Sequence, residues 1–145
     1  MKSQRKTFAD IIAGFIGKPF EEGATGPDSY DCFGLLYAYR KATGKELRLR
    51  TSAEGYTHKN YREMSPDEID GFLLRQFGTS GNCEEVTVGS QIAGDSMLLK
   101  TKRSHLFVGI CAGNGNFVSS VKDVGVKVFK LDPEIFEVVR VRRQH

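Results

Sequence analysis

The chain has 145 residues, enough for one ordinary domain with its own core. Hydrophobic residues make up 39% and charged residues 27%, as in a globular protein, and a net charge of +3 is too small to argue for nucleic acid. No run reaches about 18 apolar residues, which excludes a membrane-spanning helix, and the three cysteines form no C-x-x-C pair, which argues against a zinc ribbon or a disulfide scaffold.

The basic excess gathers at the ends, in Lys2, Arg5 and Lys6 and in Arg140, Arg142 and Arg143. It makes a solvated basic surface or an attraction for an anionic partner. The first apolar stretch is interrupted by Asp10, so no secretory signal is expected, and the chain is expected to be made in the cytoplasm.

Thr7 and Asp10 resemble a capping box with a shorter acid. Phe8, Ile11, Ile12, Phe15 and Ile16 follow at helical spacing, predicting a first helix that ends near Gly17, before Pro19. EEGATGPDSY, residues 21–30, predicts a loop. Asp31 is a good N-cap for a second helix over about 32–43, stopping at Gly44, with Leu35, Leu36, Tyr39 and Ala42 close to one face. Residues 45–64 carry little periodicity and predict a long connection. Ser65, Pro66 and Glu68 predict the start of a third helix carrying Ile69, Phe72, Leu73 and Phe77. Strands are expected at 84–88, 96–100, 105–111, 116–121, 125–130 and 136–142, with AGNGN, residues 112–116, as a hairpin turn. Helices first and strands after them predict an α+β domain.

Cys32 follows directly on the N-cap. Backbone N–H groups and the positive end of the helix dipole favour a thiolate there and predict a lowered pKa. The same N–H groups suit an oxyanion in acyl transfer, and Gly34 keeps the approach open. No metal-ligand spacing and no phosphate loop is present; the AGNGN glycines precede no helix, so no metal or cofactor is expected.

Residues 26–37, GPDSYDCFGLLY, resemble the nucleophile motif of the NlpC-type, papain-like cysteine peptidases, and most closely the branch found in phage tail-assembly proteins. The resemblance continues through GKPF at 17–20, AGD followed by SMLL at 93–99, VGI at 108–110, GNG at 113–115, FV at 117–118 and the closing VVRVRR. It implies a single domain over 1–145, in which N-terminal helices pack on a mostly antiparallel sheet of about five to six strands. It also implies hydrolysis of peptide stems in peptidoglycan, in a phage tail tip and hence in the virion, with Cys32 as nucleophile. The family's base falls at Phe107, its second polar residue at Ser119 and its upstream tyrosine at Phe20. His105 lies two residues before Phe107, on the same face of a regular strand but about 6.6 Å along it. A β-bulge would bring it to the sulfur as base, with Ser119 or Asp123 as the orienting group. The expected catalytic set is therefore Cys32, His105 and Ser119. The alternative is a catalytically impaired tail-tip component that uses the same fold to bind peptide or other tail-tip proteins. His58 and His145 are expected at the surface. Tyr56, Tyr61 and Arg62 are candidates to line a groove or to pack locally, and Cys111 is expected in a strand core.

Overall fold

The computed structural model describes residues 7–24, 26–43, 65, 67–68, 83–102 and 106–144. Two helices come first, α1 (Phe8–Ala13) and α2 (Cys32–Ala42). Six strands follow: β1 (Cys83–Val86), β2 (Ser96–Thr101), β3 (Phe107–Gly113), β4 (Asn116–Val121), β5 (Gly125–Lys130) and β6 (Phe136–Gln144). The fold is α+β, as the residue pattern predicts.

Thr7 caps α1 with the predicted box: its side chain accepts from the Asp10 N–H, and the Asp10 carboxylate accepts from the Thr7 N–H. The helix ends at Ala13, earlier than its apolar spacing suggests. Residues 14–17 continue as turns, and Gly17 adopts φ 90°, which aims its N–H at the Val126 carbonyl. Ile16 is left 41% exposed, while Ile12 is buried and Phe8, Ile11 and Phe15 pack beside it. On α2, Leu35, Leu36 and Tyr39 are buried as expected. Ala42 is exposed instead of facing the core. Arg40 is buried, its guanidinium donating to Ser96 Oγ at 2.5 Å. At the expected third helix the Ser65–Glu68 capping box forms, with each backbone N–H donating to the other's side chain. The rest of that helix, like the connection over 45–64, lies outside the described residues.

The strands form one antiparallel sheet in the order β1-β6-β2-β3-β4-β5. Asn114 and Gly115 close the β3–β4 hairpin with φ of 54° and 76°, the left-handed pair that a two-residue loop needs to match strand twist. Strict alternation sorts the sheet's side chains between two clusters. Leu98, Val108, Ile110, Val118 and Val126 pack with α1 and α2. Met97, Leu99, Cys111 and Phe117 form the second cluster, joined by Phe129, Phe136 and Val138. Gly109 leaves the space that Phe117 and Leu99 fill; a Cβ there would lie 2.9 Å from the Phe117 ring. At the far end, Asp95 is buried and takes both arms of Arg143, at 2.9 Å each, tying the turn before β2 to the end of β6.

Candidate active site

Asp31 and Cys32 open α2. The Asp31 side chain takes the Gly34 N–H at 2.5 Å, the predicted N-cap bond. Its second carboxylate oxygen takes the Gly23 N–H at 2.7 Å. The Asp31 N–H in turn donates to the Ala24 carbonyl at 3.0 Å. Loop residues 21–24 are thus held against the first turn of α2. Upstream, Phe20 and Tyr30 form an isolated parallel bridge, and the Tyr30 carbonyl accepts from Ser120 Oγ at 2.6 Å, joining the lead-in of the helix to β4.

Cys32 is a free cysteine and 8% exposed. The backbones of Val108, Phe33 and Cys32 itself favour its thiolate. They do not prevail. Burial, followed by the Asp31 charge, pushes the thiol up from 9.0 to about 12. The lowered pKa expected from the helix dipole is corrected: at a helix start the dipole contributes about 0.3–2 kcal/mol, less than the cost of burying a thiolate. At neutral pH Cys32 is a thiol that needs a base to become a nucleophile.

The base position on β3 holds Phe107. Its ring lies 6.3 Å from Phe117 and 6.2 Å from Phe136, between centroids, within an aromatic group that includes the Phe117–Phe129 stack at 5.5 Å. Ser119 is fully buried on β4 and donates to the Val108 carbonyl at 2.8 Å; by alternation it shares the sheet face of Phe117, whereas Cys32 packs with Val118 on the other. His105, His58 and His145 lie outside the described residues, as do Tyr56, Tyr61 and Arg62. Asp123, the other candidate orienting group, sits exposed in the β4–β5 turn at φ 68° instead of on the returning strand. Of the expected set, the described residues place Cys32 at the start of α2 and Ser119 on β4, with Val108 between them in the sheet's backbone. Among them Asp31 is the charge that acts on the sulfur. They hold no group of three or more acidic, histidine or cysteine ligands for a metal.

An open groove of about 620 Å³ lies between Pro19–Glu22 and Lys122–Gly125. Gly125 is required at its floor: it has φ 88°, and a Cβ would lie 2.5 Å from the Lys18 carbonyl oxygen. The clamp from Asp31 to Gly23 is the feature that residue-level reasoning misses. Asp31 is legible as a helix cap, but nothing in the spacing of 23 and 31 says that a loop amide returns to the same carboxylate.

The NlpC/P60 family model matches residues 17–143, and the chain belongs to that family. Solved structures share the fold. NlpC1 from Trichomonas vaginalis superposes with a TM-score of 0.60 at 21% identity, covering 94% of this chain and 42% of its own. A Staphylococcus aureus protein described as similar to lipoprotein, NLP/P60 family, gives 0.58 at 17%, covering 94% of this chain and 40% of its own. The NlpC/p60 domain of the peptidoglycan hydrolase SagA gives 0.57 at 18%, covering 97% and 100%. This chain therefore spans less than half the length of the Trichomonas and Staphylococcus chains and all of the SagA domain. No curated protein matches the sequence. Among the described residues no helix is long and apolar enough to cross a membrane.

Proposed function

We propose that residues 1–145 form a single NlpC/P60 domain of a phage tail tip that hydrolyses peptide stems of peptidoglycan, with Cys32 as nucleophile, His105 as base and Ser119 as the orienting group. The observation that carries the hydrolase reading is the placement of Cys32 as the first residue of α2, directly after its Asp31 cap. The tail-tip assignment rests on the resemblance of GPDSYDCFGLLY and VVRVRR to that branch. In the reaction His105 takes the thiol proton, and the sulfur attacks the amide carbonyl. The backbone N–H groups at the head of α2 hold the oxyanion. The protonated imidazole then gives its proton to the leaving amine, and water hydrolyses the thioester. With the thiol raised to about 12, the step depends on that base. The test is turbidity of purified cell wall with wild type, Cys32→Ala and His105→Ala. Clearing by wild type and by neither variant is expected; equal behaviour of wild type and Cys32→Ala sinks the hydrolase.

A second reading has its own observation. Phe107 occupies the family's base position and packs into an aromatic group, which favours a catalytically impaired domain that binds peptide or neighbouring tail-tip proteins. Retention of purified peptidoglycan peptides without turnover would distinguish it.

A further inference from the structure

The loop before Cys32 and the first turn of α2 are joined more closely than a helix cap requires. Gly23 is buried, and its N–H points to Asp31 Oδ2 at 2.7 Å. The Asp31 N–H returns to the Ala24 carbonyl at 3.0 Å. Gly34 takes the other oxygen of Asp31, and its missing side chain makes room for the same Ala24 carbonyl; a Cβ at 34 would overlap that oxygen. Residues 31 and 34 flank Cys32 on the turn, so the loop is seated directly beside the nucleophile. The same loop supplies Glu21 and Glu22 to the groove.

We propose that Asp31 is a positioning residue of the cysteine site: its carboxylate bridges Gly23 and Gly34 and so seats loop 21–24 against the helix turn that carries Cys32. The proposal rests on Cys32 being the nucleophile of the site. A carboxylate suits this task because only it offers two acceptor oxygens, one for the cap and one for the loop. A serine or threonine would cap the helix equally well and leave the buried Gly23 amide unsatisfied. The cost of the arrangement is a negative charge next to the sulfur, and Asp31 contributes to holding the thiol protonated. Among the described residues, Asp31 is the charge that acts on the sulfur, while Phe33 of α2 and Val108 of β3 act on it through their backbones.

The test is the alkylation rate of Cys32 by iodoacetamide in the full chain, followed by peptide mass spectrometry from pH 7 to 10.5. Cys83 and Cys111 serve as internal references. Asp31→Ser keeps a cap oxygen and loses both the reach to Gly23 and the charge. Gly34→Ala keeps the carboxylate and displaces Ala24. Both are expected to label Cys32 at least about tenfold faster than wild type at pH 8, with the rate–pH limb moved to lower pH, since each unit of pKa is about tenfold in thiolate. Acceleration in Asp31→Ser alone would reduce Asp31 to a charge effect and overturn the positioning role. Wild-type rates in Asp31→Ser, whatever Gly34→Ala does, overturn it as well. Should Asp31→Ser not fold, Asp31→Asn, which keeps one acceptor and turns the other into a donor, is read in the same way. Failure of wild type to clear cell wall would sink the hydrolase and leave this result standing, because labelling reports the seat of the thiol whether or not it turns over.

Discussion

On the helical side of the Cys32 cleft, polar backbone does the holding: Asp31 gathers the Gly23 and Gly34 amides, and the Ala24 carbonyl takes the Asp31 N–H. Through the sheet, in the second cluster, apolar surface does it: Phe107, Phe117 and Phe136 pack ring against ring, and Ser119 donates a hydrogen bond to the Val108 carbonyl. The helical wall needs particular hydrogen-bonding atoms at particular places. The sheet wall needs volume, and any residue that fills it keeps the strand in register.

That contrast is open to attack from the sheet side first. Phe117→Ala removes a ring with 1% exposure at the centre of the aromatic group, and it should lower unfolding free energy by about 3–5 kcal/mol in a urea titration. A loss under about 1 kcal/mol would mean that the sheet wall is not held by packing. The next effect is on the helical side and is read through pH. A thiol raised in the folded state stays protonated when its unfolded counterpart ionises, so the folded state binds more protons between pH 9 and 12. The stability it contributes is complete below pH 9 and is lost as pH rises toward 12. Over the first one and a half units this amounts to about 2 kcal/mol. Cys32→Ala should flatten this alkaline decline in urea titrations from pH 8 to 10.5; an unchanged slope would place the effect elsewhere.

Phe107→His puts an imidazole at the family's base position and takes a ring from the aromatic group. It should cost about 1–2 kcal/mol of stability and quicken alkylation of Cys32 near neutral pH. Labelling as slow as wild type would show that position 107 does not face the sulfur. Ser119→Ala is expected to be the smallest change, about 1 kcal/mol for one buried hydrogen bond. If Ser119 also orients a base, the variant should in addition shift the pH profile of wall hydrolysis; an unshifted profile leaves it a purely structural bond.

Much of this architecture is legible residue by residue. Thr7 and Asp31 mark their helix starts, the turn at Asn114–Gly115 joins two strands, and the runs at 96–101, 116–121 and 125–130 end within a residue of where alternation and turn residues put them. These features are local, fixed by atoms three or four positions apart. Strand order is not. That β6 lies between β1 and β2 depends on contacts between segments far apart in sequence, and the pairing of Ser96 with Arg142 has no local signature. The same limit applies at the site. Cys32 is conspicuous because its neighbours in sequence are its neighbours in space. The raised thiol follows from burial, which no spacing reveals, and Phe107 looks like a vacant catalytic position until its ring is found among three other phenylalanines.

The outer strand β5 has one more consequence. Its first residues are closed off by the segment before the cleft, through Gly17 N–H to the Val126 carbonyl and Val126 N–H to the Lys18 carbonyl. Beyond Val126 the strand runs on with exposed Lys127 and Lys130. Lysines on a sheet margin disfavour the addition of a foreign strand, because each new chain would have to bury or crowd a charge. The segment that leads to the nucleophile thus also blunts the margin of the sheet, and the domain is guarded there against polymerising with its own copies at high local concentration.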